Sequence, residues 1–132
     1  MSEFIVDKLT GKSTAKTVTV TVGATATQSL EQGVAKAWHM SKDAGTLAID
    51  DSLNISSVDD DGTGDYGQNY ASNFTSGDKS ITISGGYWTF NGEIDAVPSS
   101  SADEFKCKDV ASSGAPARDA NVLCITVHGD LA

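Results

Sequence analysis

The sequence predicts an all-β fold: a small antiparallel β-sandwich or jelly-roll-like domain preceded by an extended N-terminal arm. Three observations predict it. Short stretches of strict two-residue alternation recur along the chain, as in residues 17–22 and 80–84. Such alternation sends successive side chains to opposite faces of a pleated strand. Thirteen glycines stand against two prolines, with abundant Ser, Thr and Asp, a composition of many turns and few long helices. Asp61-Gly62 and Asn91-Gly92 are the dipeptides that tight hairpin turns favour. A chain of 132 residues has the length of one ordinary domain.

Residues 1–32 form the predicted arm. Ile5 and Val6 are a short apolar patch, followed by a polar stretch to Lys16. Residues 17–22 alternate Thr and Val, all β-branched and stiff at χ1, so Val18, Val20 and Val22 share one face. Gly23-Ala24-Thr25-Ala26-Thr27 reads as an extended linker, and Gln28-Ser29-Leu30-Glu31-Gln32 as a helical turn stopped by Gly33. The arm has too few large apolar side chains to build a core of its own. Its valines gain burial only against a neighbour, and an unpaired strand edge seeks a partner strand.

Residues 33–132 form the predicted outer domain. Val34, Lys36, Trp38 and Met40 alternate with Ala35, Ala37 and His39, and Trp38 is assigned to the core. A turn at Asp43-Ala44-Gly45 leads to a short strand from Thr46 to Ile49, with Leu53 and Ile55 continuing its alternation. Residues 56–70 make the clearest hairpin, with its tip in Asp59-Asp60-Asp61-Gly62-Thr63-Gly64-Asp65. Residues 80–84 and 87–90 are strands. Asn91-Gly92 then predicts a turn, with a return strand over residues 93–97. Between Val97 and Asn121 only residues 105–110 read as strand, and residues 122–128 are a buried last strand.

Eighteen acidic side chains oppose nine basic ones, a formal charge of −9, and such a surface repels phosphate backbones and anionic membranes. No nucleic acid or membrane partner is expected. The start, with Glu3 and Asp7 around a short apolar patch, is unlike a signal peptide. Val122-Leu123-Cys124-Ile125 falls far short of a membrane span. Synthesis in the cytoplasm follows as an expectation. There Cys107 and Cys124 are expected as free thiols, although a disulfide between them would contribute roughly 3 kcal/mol.

The acidic hairpin is the first candidate site. Ser57, Asp59, Asp61 and Gly62 echo the first half of a calcium loop, with Asp65 at the ninth place. Calcium takes roughly six to eight oxygen ligands, and the twelfth place, a Glu in the helix-loop-helix version, is Gln68 here. Asp59, Asp61 and Asp65 are therefore weak calcium candidates against a solvated hairpin whose Asp residues favour turn geometry. No cofactor is expected otherwise. His39 and His128, each on a predicted strand, would bind a metal only by sharing it across a symmetry axis. Among the aromatics, Tyr66, Tyr70 and Trp88 are the candidates for surface or receptor contact, able to stack on sugars or anchor an interface. No nucleophile elbow, phosphate loop or paired CxxC motif occurs, so no catalytic residue is named and no enzyme is expected.

The order of these pieces resembles small virion structural proteins of tailed bacteriophages, especially marine ones. The resemblance is carried by Ile5-Val6-Asp7-Lys8-Leu9-Thr10-Gly11-Lys12-Ser13-Thr14, the Thr/Val strand, Leu30-Glu31-Gln32-Gly33-Val34-Ala35-Lys36-Ala37-Trp38, Asp51-Ser52-Leu53-Asn54-Ile55-Ser56-Ser57-Val58, Asp61-Gly62-Thr63-Gly64-Asp65-Tyr66 and Val127-His128-Gly129-Asp130. It implies a non-enzymatic protein of the virion surface, described as tail fibre, head fibre or capsid decoration. The expected assembly is a homotrimer anchored to other virion proteins through Ile5, Val6, Val18, Val20 and Val22. A host surface glycan is a further expected partner. The alternative from another class is a free carbohydrate-binding module.

Overall fold

The computed structural model describes residues 18–22, 26–43, 45–86 and 90–132. The chain divides into two units, Met1–Val34 and Ala35–Ala132.

In the first unit, β1 (Thr19–Val22) pairs antiparallel with β2 (Ala26–Ser29), from Thr19 opposite Ser29 to Val22 opposite Ala26. One helical turn, α1 (Leu30–Gly33), follows, and the Leu30 N–H donates to the Val18 carbonyl at 2.8 Å. The expected linker is thus partly strand: Ala26 and Thr27 belong to β2, and the Thr/Val strand has its partner in its own chain. A hairpin with the nearest downstream segment is the shortest route to satisfying exposed backbone N–H and C=O groups. Ile5 and Val6 lie outside the described residues.

The second unit is all-β. One sheet runs in the order β4 (Leu47–Leu53), β3 (Ala37–Asp43), β10 (Val122–His128), β7 (Ser80–Gly86). The other runs β5 (Ile55–Gly62), β6 (Asp65–Tyr70), β9 (Ala102–Asp109), β8 (Phe90–Ile94). Every pairing is antiparallel. Alternate residues of the two sheets meet in one core. Ala37, Leu123, Ile125 and Val127 come from the first sheet, and Tyr66, Tyr70, Phe105 and Cys107 from the second, with Phe74 and Ala120 joining from connecting segments. This is the expected β-sandwich.

Four local expectations are corrected. Trp38 is only half-buried, because the inward face of β3 is Ala37, His39 and Ser41. Those small and polar side chains leave the interior to the large rings of the facing sheet. Asn91-Gly92 is not a turn but the middle of β8, with Asn91 opposite Lys108 and Gly92 opposite Cys107. The pairing with β9 claims the backbone that a turn would need. The β9 strand begins at Ala102, three residues before the expected start. The alternation through Leu53 and Ile55 hides a corner. Asn54 takes φ 57° and hands the chain from β4 in one sheet to β5 in the other. Its amide is held on both sides by the Ser72 backbone, at 3.0 and 2.6 Å, which supports the left-handed conformation that Asn tolerates.

Candidate functional site

Tyr66 and Tyr70 are core residues, 1% and 6% exposed, and not the surface contacts expected of them. They share the inward face of β6 with Gln68, and β6 lies inside its sheet between β5 and β9. The Tyr66 ring stacks beside Phe105 at 6.1 Å, and Tyr70 meets Phe74 edge-on at 4.7 Å. Trp88 lies outside the described residues. Val18 is half-buried, and Val20 and Val22 lie in β1.

The acidic hairpin is confirmed, with its bend at Thr63-Gly64 between β5 and β6. Asp59 and Asp61 nevertheless lie on β5 rather than in a loop. Both carboxylates reach over Gly67 on the neighbouring strand. Asp59 accepts from Asn69 Nδ2 at 2.6 Å, while Asp65, across the bend, lies 3.8 Å from Lys106 Nζ. Among the described residues no three His, Cys, Asp or Glu side chains converge as a metal site would need. Cys107 and Cys124 are both free thiols. Cys107 faces the core of one sheet, and Cys124 sits on the outer face of the other. A shallow depression of about 90 Å³ is lined by Ala96, Val97, Ser99 and Ala102 with Asp103 and Glu104.

The strongest concentration of chemistry is inside the sandwich. Lys79, just before β7, and Asp103, on the inward face of β9, form an ion pair at 2.8 Å with side chains 0% and 1% exposed. Lys79 Nζ also donates to the Ser99 carbonyl at 2.5 Å and lies 4.5 and 4.9 Å from the ring centroids of Tyr70 and Phe74. The second carboxylate oxygen of Asp103 accepts from the Tyr70 hydroxyl and from Gln68 Nε2, the latter at 3.1 Å. Gln68 Nε2 also donates to the Tyr70 oxygen at 3.0 Å. Burial first, and then the Asp103 carboxylate, push the Tyr70 phenol far above its ordinary value, so it remains a donor. Beside this network, His39 Nδ1 and Nε2, Ser41 Oγ and Gln68 Oε1 are buried without hydrogen-bond partners among the described residues.

Lys79, Gln68 and Asp103 were not among the candidates from sequence. A signal was present: two-residue alternation carried back from Phe105 puts Asp103 on the face shared by Phe105, Cys107 and Asp109. An acid at each end of an apolar face demands a buried partner. Lys79 serves Asp103, and Arg118 serves Asp109 at 2.8 Å. No family model matches the chain, and no curated protein or solved structure matches it.

Proposed function

We propose that the chain is a non-enzymatic structural protein of a bacteriophage virion, a trimeric fibre-like or capsid-decoration protein. In this reading residues 1–32 join it to its assembly and residues 33–132 face outward. The observation that carries the reading is the division of the chain into a small N-terminal unit and a sandwich with a core of its own. An isolated two-stranded hairpin is marginal in water, so the short pairing of β1 with β2 calls for a neighbour to cover it. Among the described residues neither outer edge of that hairpin is paired, which suits addition of a strand from another chain. The resemblance of the sequence to tailed-phage virion proteins supplies the setting, and the trimer rests on the arm, whose free edges three symmetry-related chains would satisfy.

Two measurements on the full chain and one on a truncated form test the reading. The first is the presence of the chain in purified particles of the phage that encodes it, with its position located by image reconstruction. The second is the mass of the purified protein in solution, expected to be that of a trimer. Deleting residues 1–22 should leave a soluble, folded sandwich that no longer joins the particle. Normal incorporation of the truncated protein, or absence of the full chain from the particle, would sink the proposal.

A further inference from the structure

We propose that Lys79 and Asp103 condense to an intramolecular amide, a covalent tie between the segment entering β7 and strand β9. The inference stands on the interior of the sandwich alone and does not depend on the virion reading. Four observations carry it. The amine nitrogen and a carboxylate oxygen are in contact at 2.8 Å, and both side chains are sealed from solvent. The Tyr70 and Phe74 rings flank the nitrogen and make the surroundings largely apolar. Its hydrogen bond to the Ser99 carbonyl and the tight packing of Phe74 and the Lys79 stem against Gly129 limit its movement. The oxygen that would leave, Oδ2, already carries donors from Tyr70 and Gln68.

Contact, exclusion of water and the neutrality of the product favour condensation. Two groups held in contact react as if at very high concentration, without further entropy loss. Exclusion of water removes both the competing solvation and the reactant of the reverse hydrolysis. The cost of holding two full charges away from water disappears when the product is a neutral amide.

The step balances without a co-reactant. The Lys79 ammonium first passes a proton to Oδ1 across the 2.8 Å contact, which frees the nitrogen lone pair; the neutral amine then forms a bond to Cγ of Asp103, and the bond from Cγ to Oδ2 breaks. Oδ1 becomes the amide oxygen. Of the three protons on the ammonium, one stays on the amide nitrogen and two leave with Oδ2 as water. Tyr70, held in its protonated form, relays a proton from the tetrahedral intermediate to Oδ2 in one concerted move through the hydrogen bond it already makes, so no free phenolate forms. Nothing is oxidised or reduced.

Mass spectrometry of the full-length protein tests this. The intact denatured chain is expected to weigh less than its sequence by one water molecule. Trypsin should fail to cut after Lys79 and should release a branched peptide joining the Lys79 and Asp103 segments. Lys79→Arg and Asp103→Ala should each restore the full mass. Tyr70→Phe, which removes the donor from Oδ2, should accumulate the linked form more slowly. Full mass in wild-type protein shown to be folded in the same sample, after days at neutral pH, would overturn the proposal. So would loss of water mapped to Asp61-Gly62, where an Asp-Gly pair can close to a succinimide. Linkage in Tyr70→Phe at the wild-type rate would remove the role given to Tyr70.

Discussion

A β-carbon at Gly64 would stand 2.6 Å from the amide nitrogen of Arg118, closer than real side chains come. Gly64 forms the bend between β5 and β6 at φ 67° and is bonded on all sides. Its N–H donates to Asp119 at 2.7 Å, and its carbonyl accepts from Cys107 N–H at 2.7 Å. The obstacles are backbone atoms of Arg118 and Cys107, which cannot rotate away. Gly64→Ala should therefore destabilise the protein by about 2–5 kcal/mol, from the left-handed conformation plus the clash. Gly114 has φ 83° but nothing within 4 Å of the same position, so Gly114→Ala should cost only about 1 kcal/mol. Denaturant midpoints of the two variants check the contrast, and equal losses would contradict it.

The Tyr66 hydroxyl has a structural task. It accepts the buried Ala120 N–H at 3.0 Å and donates to Asp43 at 3.1 Å, linking β6 to the segments at Ala120 and Asp43. Tyr66→Phe keeps the ring and strands the Ala120 donor. A loss of about 1–3 kcal/mol is expected, with the fold retained. A thermal melt unchanged from wild type would show that the hydroxyl carries no such load.

The sandwich was legible in the sequence because its strands alternate cleanly: residues 80–84 and the final run 122–128 lie in strands as read, and the acidic hairpin stands where it was read, with residues 59–62 of the expected tip drawn into β5. Misreadings arose where local chemistry and tertiary pairing disagreed. Asn91-Gly92 carries turn chemistry, yet β9 offered a whole strand of backbone partners, and the ladder won. Tyr66 and Tyr70 carry polar tips, but their period matches the core face, and buried partners for the hydroxyls were invisible in one dimension. The Lys79–Asp103 pair spans 24 residues and two different segments, so no spacing rule could join them. Trp38 attracts a core assignment by its size, whereas the choice of face in β3 was made by the rings packed opposite.

The two cysteines should differ sharply in reactivity. Burial, and secondarily the charge of Asp119, push the Cys107 thiol up to about 12. The thiolate is the reactive form, so Cys107 should be inert near neutral pH. Cys124 is partly exposed on the outer face of β10. A disulfide-exchange reagent should therefore titrate one thiol per native chain and two after unfolding. Cys124→Ser should abolish the native signal. Two thiols reacting equally fast in the folded protein would contradict the buried placement of Cys107.

His39 should make the fold sensitive to mild acid. The ring lies inside the sandwich, 1% exposed, and among the described residues no well-formed hydrogen bond reaches either nitrogen, the Gln68 amide being the polar group beside it. Desolvation lowers its pKa from 6.5 to about 4, with the Gln68 side chain opposing the shift. The sign follows from proton uptake. Between these two values the unfolded chain binds a proton that the folded chain refuses, so stability rises with pH and is lost as pH falls through this window. One such group contributes a slope of up to about 1.4 kcal/mol per pH unit. The difference between wild type and His39→Leu isolates the histidine. That variant cannot take up the proton in either state and removes two unpartnered polar atoms from the core. Urea midpoints at pH 7.5, 6 and 5 should show the variant gaining on wild type at each step downward. Parallel curves would mean that His39 is hydrated or protonated in the fold, and the acid sensitivity assigned to it would be wrong.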